Sequence, residues 1–123
     1  VVLPVIGRGL YELFSDNTFR FLSGTEVLAD KIVQCVVPEG AGRLLIGTER
    51  DGFFQYDGKR CTSWSNALND DFIRFQPNKA LALRGGGWAV GTIRNGVYVL
   101  DGSGKLRYHL NQVSGLQNNT VLA

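Results

Sequence analysis

The stretch Leu44-Leu45-Ile46-Gly47-Thr48-Glu49-Arg50-Asp51-Gly52-Phe53-Phe54 decides how the rest of the chain is read. It runs from apolar residues through two bracketing glycines into a pair of aromatics. The phrase returns as Val90-Gly91-Thr92-Ile93-Arg94-Asn95-Gly96-Val97-Tyr98, and a shortened form opens the chain as Val5-Ile6-Gly7-Arg8-Gly9-Leu10-Tyr11. The first glycines of the phrase lie 40 and 44 residues apart, and the second glycines 43 and 44. A fixed period of this length is the signature of a repeat architecture.

Working outward from the phrase, each unit reads as short apolar or alternating segments separated by turn residues. In the second unit these are Ile32–Val37, Arg43–Thr48, Phe53–Tyr56 and Arg60–Trp64, with Pro38–Gly42, Glu49–Gly52 and Asp57-Gly58 as turns. Glycine at such turns supplies the positive φ that side chains resist. The third unit follows the same order across Lys79 to Leu110, and the first supplies only the last three segments, across Val1 to Leu22. Nothing has helical period, and Asp70-Asp71 sits in a connection as a solvated turn. The expectation is therefore an all-β chain. Four short strands in about 40 to 44 residues are the unit of a β-propeller blade. Lettered A to D outward from a central channel, the strands predict a β-propeller fragment of about three four-stranded antiparallel blades. Blade 1 contributes strands B to D over 1–22, blade 2 covers 31–64, blade 3 covers 79–110, and 117–123 is strand A of a following blade. The segment Ile32–Val37 is expected to be buried on both sides, Trp88 to lie in the core, and Trp64, on an outer strand, to be partly exposed.

The totals restrict the alternatives. The chain has 123 residues, 44% hydrophobic and 20% charged, with a net charge of +2 spread over both signs. That balance argues against a nucleic-acid partner, which requires clustered basic residues. No apolar run approaches the ~20 residues of a membrane span, so direct membrane insertion is not expected. Two cysteines, Cys35 and Cys61, are too few for a disulfide framework and read as buried free thiols. The chain starts at Val1 on a strand-like run and contains no methionine, which reads as a piece of a longer protein. The remaining blades of that protein are then its natural partners. Three blades alone leave two apolar faces wet, so self-association of the piece is expected as well.

The phrase hydrophobic-Gly-Thr-x-x-x-Gly-hydrophobic, continued by Tyr56-Asp57-Gly58, resembles the two-component regulator propeller repeat. The run Ser114-Gly115-Leu116-Gln117-Asn118-Asn119-Thr120-Val121 is similar to that family's Gly-Leu-x-x-Asn-x-Val lead into strand A. The likeness covers essentially the whole chain. Its first unit departs from the pattern, because Gly7-Arg8-Gly9 lacks the threonine, which implies a tighter B–C turn there. Such repeats form the periplasmic sensor region of membrane-bound hybrid histidine kinases of Bacteroides-type bacteria. The resemblance implies an extracytoplasmic sensing segment that responds to glycan-derived oligosaccharides. The kinase and any DNA-binding part would lie outside this segment.

The search for chemistry returns little. His109 is the single histidine, and with two separated cysteines it assembles no zinc set, so neither metal nor cofactor is expected. His109 falls on a strand pattern, which does not suit a phosphoacceptor. Ser63, Ser65 and Ser114 lack a strand-turn-helix elbow, so no nucleophile is indicated and the segment is read as a non-enzyme. Gly85-Gly86-Gly87 lacks the Gly-Lys-Ser/Thr ending of a phosphate loop and reads as a hairpin turn. Arg8, Arg50 and Arg94 all fall in B–C turns. Three guanidiniums at one channel mouth would fork onto carboxylates or the hydroxyls of sugars, and they are the candidate ligand-binding residues. The alternative function is a non-signalling propeller scaffold for protein interaction, or part of a propeller enzyme. An enzyme of that kind would carry more His, Asp or Glu around the channel.

Overall fold

Alternating apolar residues punctuated by glycine turns build three antiparallel sheets in the computed structural model, which describes residues 2–5, 7–40 and 42–110. The first sheet has three strands, β1 (Val2–Val5), β2 (Gly9–Leu13) and β3 (Phe19–Phe21). The second has four, β4 (Val33–Gly40), β5 (Arg43–Thr48), β6 (Phe53–Tyr56) and β7 (Cys61–Ser63). The third repeats the order with β8 (Pro77–Ala82), β9 (Trp88–Thr92), β10 (Val97–Leu100) and β11 (Leu106–Leu110). Each sheet is a meander, every strand pairing with its sequence neighbour. The described part is thus an all-β domain of three sheets. The expected strand over 117–123 lies outside the described residues.

The connections between sheets carry the helical structure that the sequence pattern hid. A 3-10 turn, Thr25–Leu28, follows β3, and a seven-residue helix α1, Asn69–Phe75, follows β7. Asp70 and Asp71 lie in the first turn of α1 and Arg74 in its last, the arrangement that favours the helix dipole. Leu68, Phe72 and Phe75 recur at helical spacing. Gln76, with φ 60°, closes the helix through its N–H on the Phe72 carbonyl, and Pro77 follows. So short a helix gains little from propensity and stands through packing. The acidic pair is therefore the start of a helix and not a solvated turn.

The sheets stack face to face through two cores. Leu10, Leu28, Ile46, Phe54 and Tyr56 fill the space between the first and second sheets. Val37, Leu45, Phe53, Trp64, Phe72, Trp88, Val90, Tyr98 and Leu100 fill that between the second and third. The second sheet feeds both, because consecutive strand residues point to opposite faces: Leu45 and Phe53 one way, Ile46 and Phe54 the other. Phe72 is fully buried and meets Phe53, Trp64 and Tyr98 with ring centroids 5.1, 6.5 and 5.1 Å away. Trp88 adds a cross-sheet bond, its indole N–H donating to the Pro38 carbonyl at 3.0 Å.

Two sequence expectations change here. Trp64 is buried rather than partly exposed, because α1 folds back over it and stacks Phe72 on the indole at 15°. Ile32 precedes its strand and is 55% exposed, and β4 is an edge strand of mixed burial, so it is not covered on both sides. The edge strands β4 and β8 of the second and third sheets nevertheless meet.

The central place of Phe72 sets the first prediction. Replacing it by alanine leaves a cavity among three aromatic rings and is expected to cost about 3–5 kcal/mol in urea unfolding. Ile73, its exposed neighbour on α1, is expected to cost about 1 kcal/mol or less on the same change.

Candidate functional site

The repeated Gly-Thr-x-x-x-Gly phrase folds into two turns with the same bonding. The Thr48 amide and hydroxyl both donate to the Gly52 carbonyl, at 2.9 and 2.7 Å, and the hydroxyl accepts from the Asp51 amide at 3.0 Å. Thr92 does the same with the Gly96 carbonyl, at 2.8 Å for both bonds, and with the Asn95 amide at 3.0 Å. Both threonines are buried, and each hydroxyl satisfies a glycine carbonyl that is buried with it. Gly52 has φ 70°, as the turn geometry demands. Gly47 is required for a different reason: a Cβ there would meet Cys35 Sγ at 2.5 Å and the Phe53 ring at 3.0 Å.

The β1–β2, β5–β6 and β9–β10 turns are each braced by a segment that links two sheets. The Gly7 amide donates to the Ala29 carbonyl and the Glu49 amide to the Ile32 carbonyl, both at 2.9 Å, so one short connection holds the β1–β2 and β5–β6 turns. Helix α1 holds the second and third turns. Asn69 accepts the Phe53 amide at 2.8 Å and donates to the Phe53 and Trp64 carbonyls at 3.2 Å. Asp71 accepts the Tyr98 hydroxyl at 3.0 Å, and the Ile93 amide donates to the Phe75 and Gln76 carbonyls. Thr25 plays the Asn69 part for the first sheet, accepting the Leu10 amide at 3.0 Å.

Arg50 and Arg94 occupy equivalent tips of these turns and are exposed, Arg50 with 82% of its side chain accessible. Arg8 is exposed too but stands one position later. The ladders pair Pro4 with Leu10, Gly47 with Phe53 and Gly91 with Val97, which sets Arg8 level with Asp51 and Asn95. The same registers leave three residues between Val5 and Gly9 and three between Thr48 and Gly52. The first turn is thus no tighter than the others, because Val5 takes the place of the threonine.

Around Arg50 lies a charged cleft of about 270 Å³ lined by Asp30, Lys31, Ile32, Glu49, Arg50 and Asp51. Lys31 lies 3.3 Å from Asp51 and 3.7 Å from Asp30, and Arg50 Nε stands 3.9 Å from Glu49. Three carboxylates against two cations make the cleft unsuited to a small anion. It suits a neutral ligand rich in hydroxyls, which donates to the acids and accepts from the guanidinium.

Next to Arg94 the chain builds a half-buried polar network around the buried Tyr98 that sequence reasoning missed. Asn95 donates its side-chain amide to the Tyr98 hydroxyl at 2.9 Å, and His109 Nε2 lies 2.7 Å from the Asn95 carbonyl and donates to it. The His109 and Tyr98 rings stack at 4.2 Å. Burial pushes the Tyr98 phenol up to about 12, and the Asp71 carboxylate further opposes its ionisation. Cys35 and Cys61 are free, as expected, but half-buried rather than buried, and this partial burial raises both thiols to about 11, so both remain neutral. Among the described residues no group of three His, Cys, Asp or Glu side chains is placed to hold a metal ion. No family model matches the chain, and no curated protein does.

Two predictions follow the geometry. Asn69→Ala leaves the buried Phe53 amide unsatisfied and is expected to cost about 1–3 kcal/mol in denaturant unfolding. Tyr98 binds its proton more tightly folded than unfolded, so its contribution is complete below its ordinary value near 10 and is lost as pH rises to about 12. Tyr98→Phe is expected to make the alkaline decline of the melting temperature shallower in that window, read by thermal melts at stepped pH.

Proposed function

We propose that the chain is a segment of a β-propeller in the extracytoplasmic sensor region of a two-component histidine kinase, where it takes part in binding glycan-derived oligosaccharides. The observation that carries this reading is the pair of identically bonded turns that present Arg50 and Arg94 at one end of stacked four-stranded sheets. The meeting of the edge strands β4 and β8 supports blades arranged about a channel. The mixed-charge cleft at Arg50 supports a neutral polyol over an anionic ligand. The likeness of the repeated phrase to the two-component regulator repeat supplies the sensing role and the periplasmic location. In this reading the segment is not an enzyme and uses no cofactor. Arg50 and Arg94 bind, Lys31, Asp51 and Glu49 complete the polar wall, and Arg8 sits at the margin. Ligand closing on turns braced by α1 would pass strain between neighbouring sheets.

The test is a thermal-shift screen of this chain against oligosaccharides released from several glycan classes. A ligand is expected to raise the melting temperature of the wild type. Removing a charge-assisted bond by Arg50→Ala or Arg94→Ala is expected to weaken binding roughly tenfold or more, with a smaller effect for Arg8→Ala. Absence of a shift from every class, or unchanged affinity in both variants, overturns the reading.

A further inference from the structure

The first and third sheets each turn one apolar face away from the second. Cross-strand partners point to the same side of a sheet, so register assigns the faces. On the first sheet the outward rows are Leu3, Tyr11 and Phe21, then Leu13 and Phe19. On the third they are Leu81, Ala89, Val99 and Tyr108, then Lys79, Gly91, Val97 and Leu110. Phe19 is 65% exposed, Leu81 67% and Tyr108 58%, and Lys79, at the β8 edge of the third sheet, is the one charge in these rows. Contiguous apolar patches of this kind mark interaction surfaces.

The repeat identifies what fits them. Within the chain, Ile46 and Phe54 of the second sheet face backward to the first sheet, while Leu45 and Phe53 face forward to the third. The equivalences set by Leu10, Phe53 and Val97 at the start of each second-phrase strand place Leu3 and Tyr11 level with Ile46 and Phe54, and with Val90 and Tyr98. They place Ala89 and Val97 level with Leu45 and Phe53. The exposed face of the third sheet is therefore the forward half of a junction that the chain builds twice, and the exposed face of the first sheet is the backward half. Each matches the other and not itself.

We propose that a second copy of this chain packs the outward face of its first sheet on the outward face of the third sheet, head to tail. The contact is heterologous, so it continues from copy to copy and either closes into a ring or extends as a filament. It rests on the repeat register and is independent of the ligand read at the turns.

The experiment is sedimentation of the chain over a range of concentrations, for the wild type and for Phe19→Glu and Leu81→Glu made singly. Both substituted residues are largely exposed, and far-ultraviolet circular dichroism establishes that each variant folds. The wild type is expected to exceed the 13.5 kDa monomer as concentration rises. Each variant alone is expected to sediment as a monomer or stop at the weakest association. Mixed in equal amounts, they are expected to form a species of twice the monomer mass, because each retains the face that the other has lost. A wild type that stays monomeric at every concentration overturns the proposal. So does assembly of either variant alone to the wild-type level, which would mean that one face pairs with itself or that other surfaces drive association.

Discussion

The structure depends on the two-sidedness of its strands. When consecutive residues such as Phe53 and Phe54 are both large and apolar, the sheet that carries them has no face suited to water. Burial of each such side chain is worth about 1.5–3 kcal/mol, and the gain is collected only if both faces find a cover. The second sheet satisfies this condition with one core on each side. Among the described residues, the first and third sheets satisfy it on one side only. Stacking is thus the stabilising principle of the fold.

The links between sheets do more than join them. Each returns a polar side chain to the end of its sheet, Thr25 to the Leu10 amide and Asn69 to the Phe53 amide, where the ladder would otherwise leave a buried donor without a partner. Helix α1 does this on one flank while Phe72 fills the aromatic core and Asp71 holds Tyr98 on the other. The consequence for the site is one of placement. Thr48 and Thr92 tie the turn backbones from inside, which sets where the chain carries Arg50 and Arg94 at the tips.

Much of this was legible in the sequence. The strands Arg43–Thr48 and Phe53–Tyr56 were read with the bounds they have in the structure, because their hydrophobic pattern and flanking turn residues are short-range signals. The equivalence of Arg50 and Arg94 was legible for the same reason. Helix α1 was not. Two turns of helix with Asp70 and Asp71 at the start look like a polar connection, and only the hole between Phe53, Trp64 and Tyr98 makes a helix of them. The signal that could have found it is the spacing of Leu68, Phe72 and Phe75 before the Gln76-Pro77 stop. Arg8 lies in the β1–β2 turn as expected, and only the pairing of Pro4 with Leu10 shows that it stands level with Asp51 and Asn95 rather than with Arg50 and Arg94.

The sequence by itself determined the sheets: the period, the strands, the glycines of the turns and the arginines at their tips. These are properties of adjacent residues, governed by backbone sterics and side-chain alternation. The tertiary structure decided which aromatic residues are buried, that Asn69 and Asp71 brace the turns, and that Glu49, Asp51 and Lys31 surround Arg50 with mixed charge. Those outcomes join residues tens of positions apart, and they follow from packing, which no local pattern encodes.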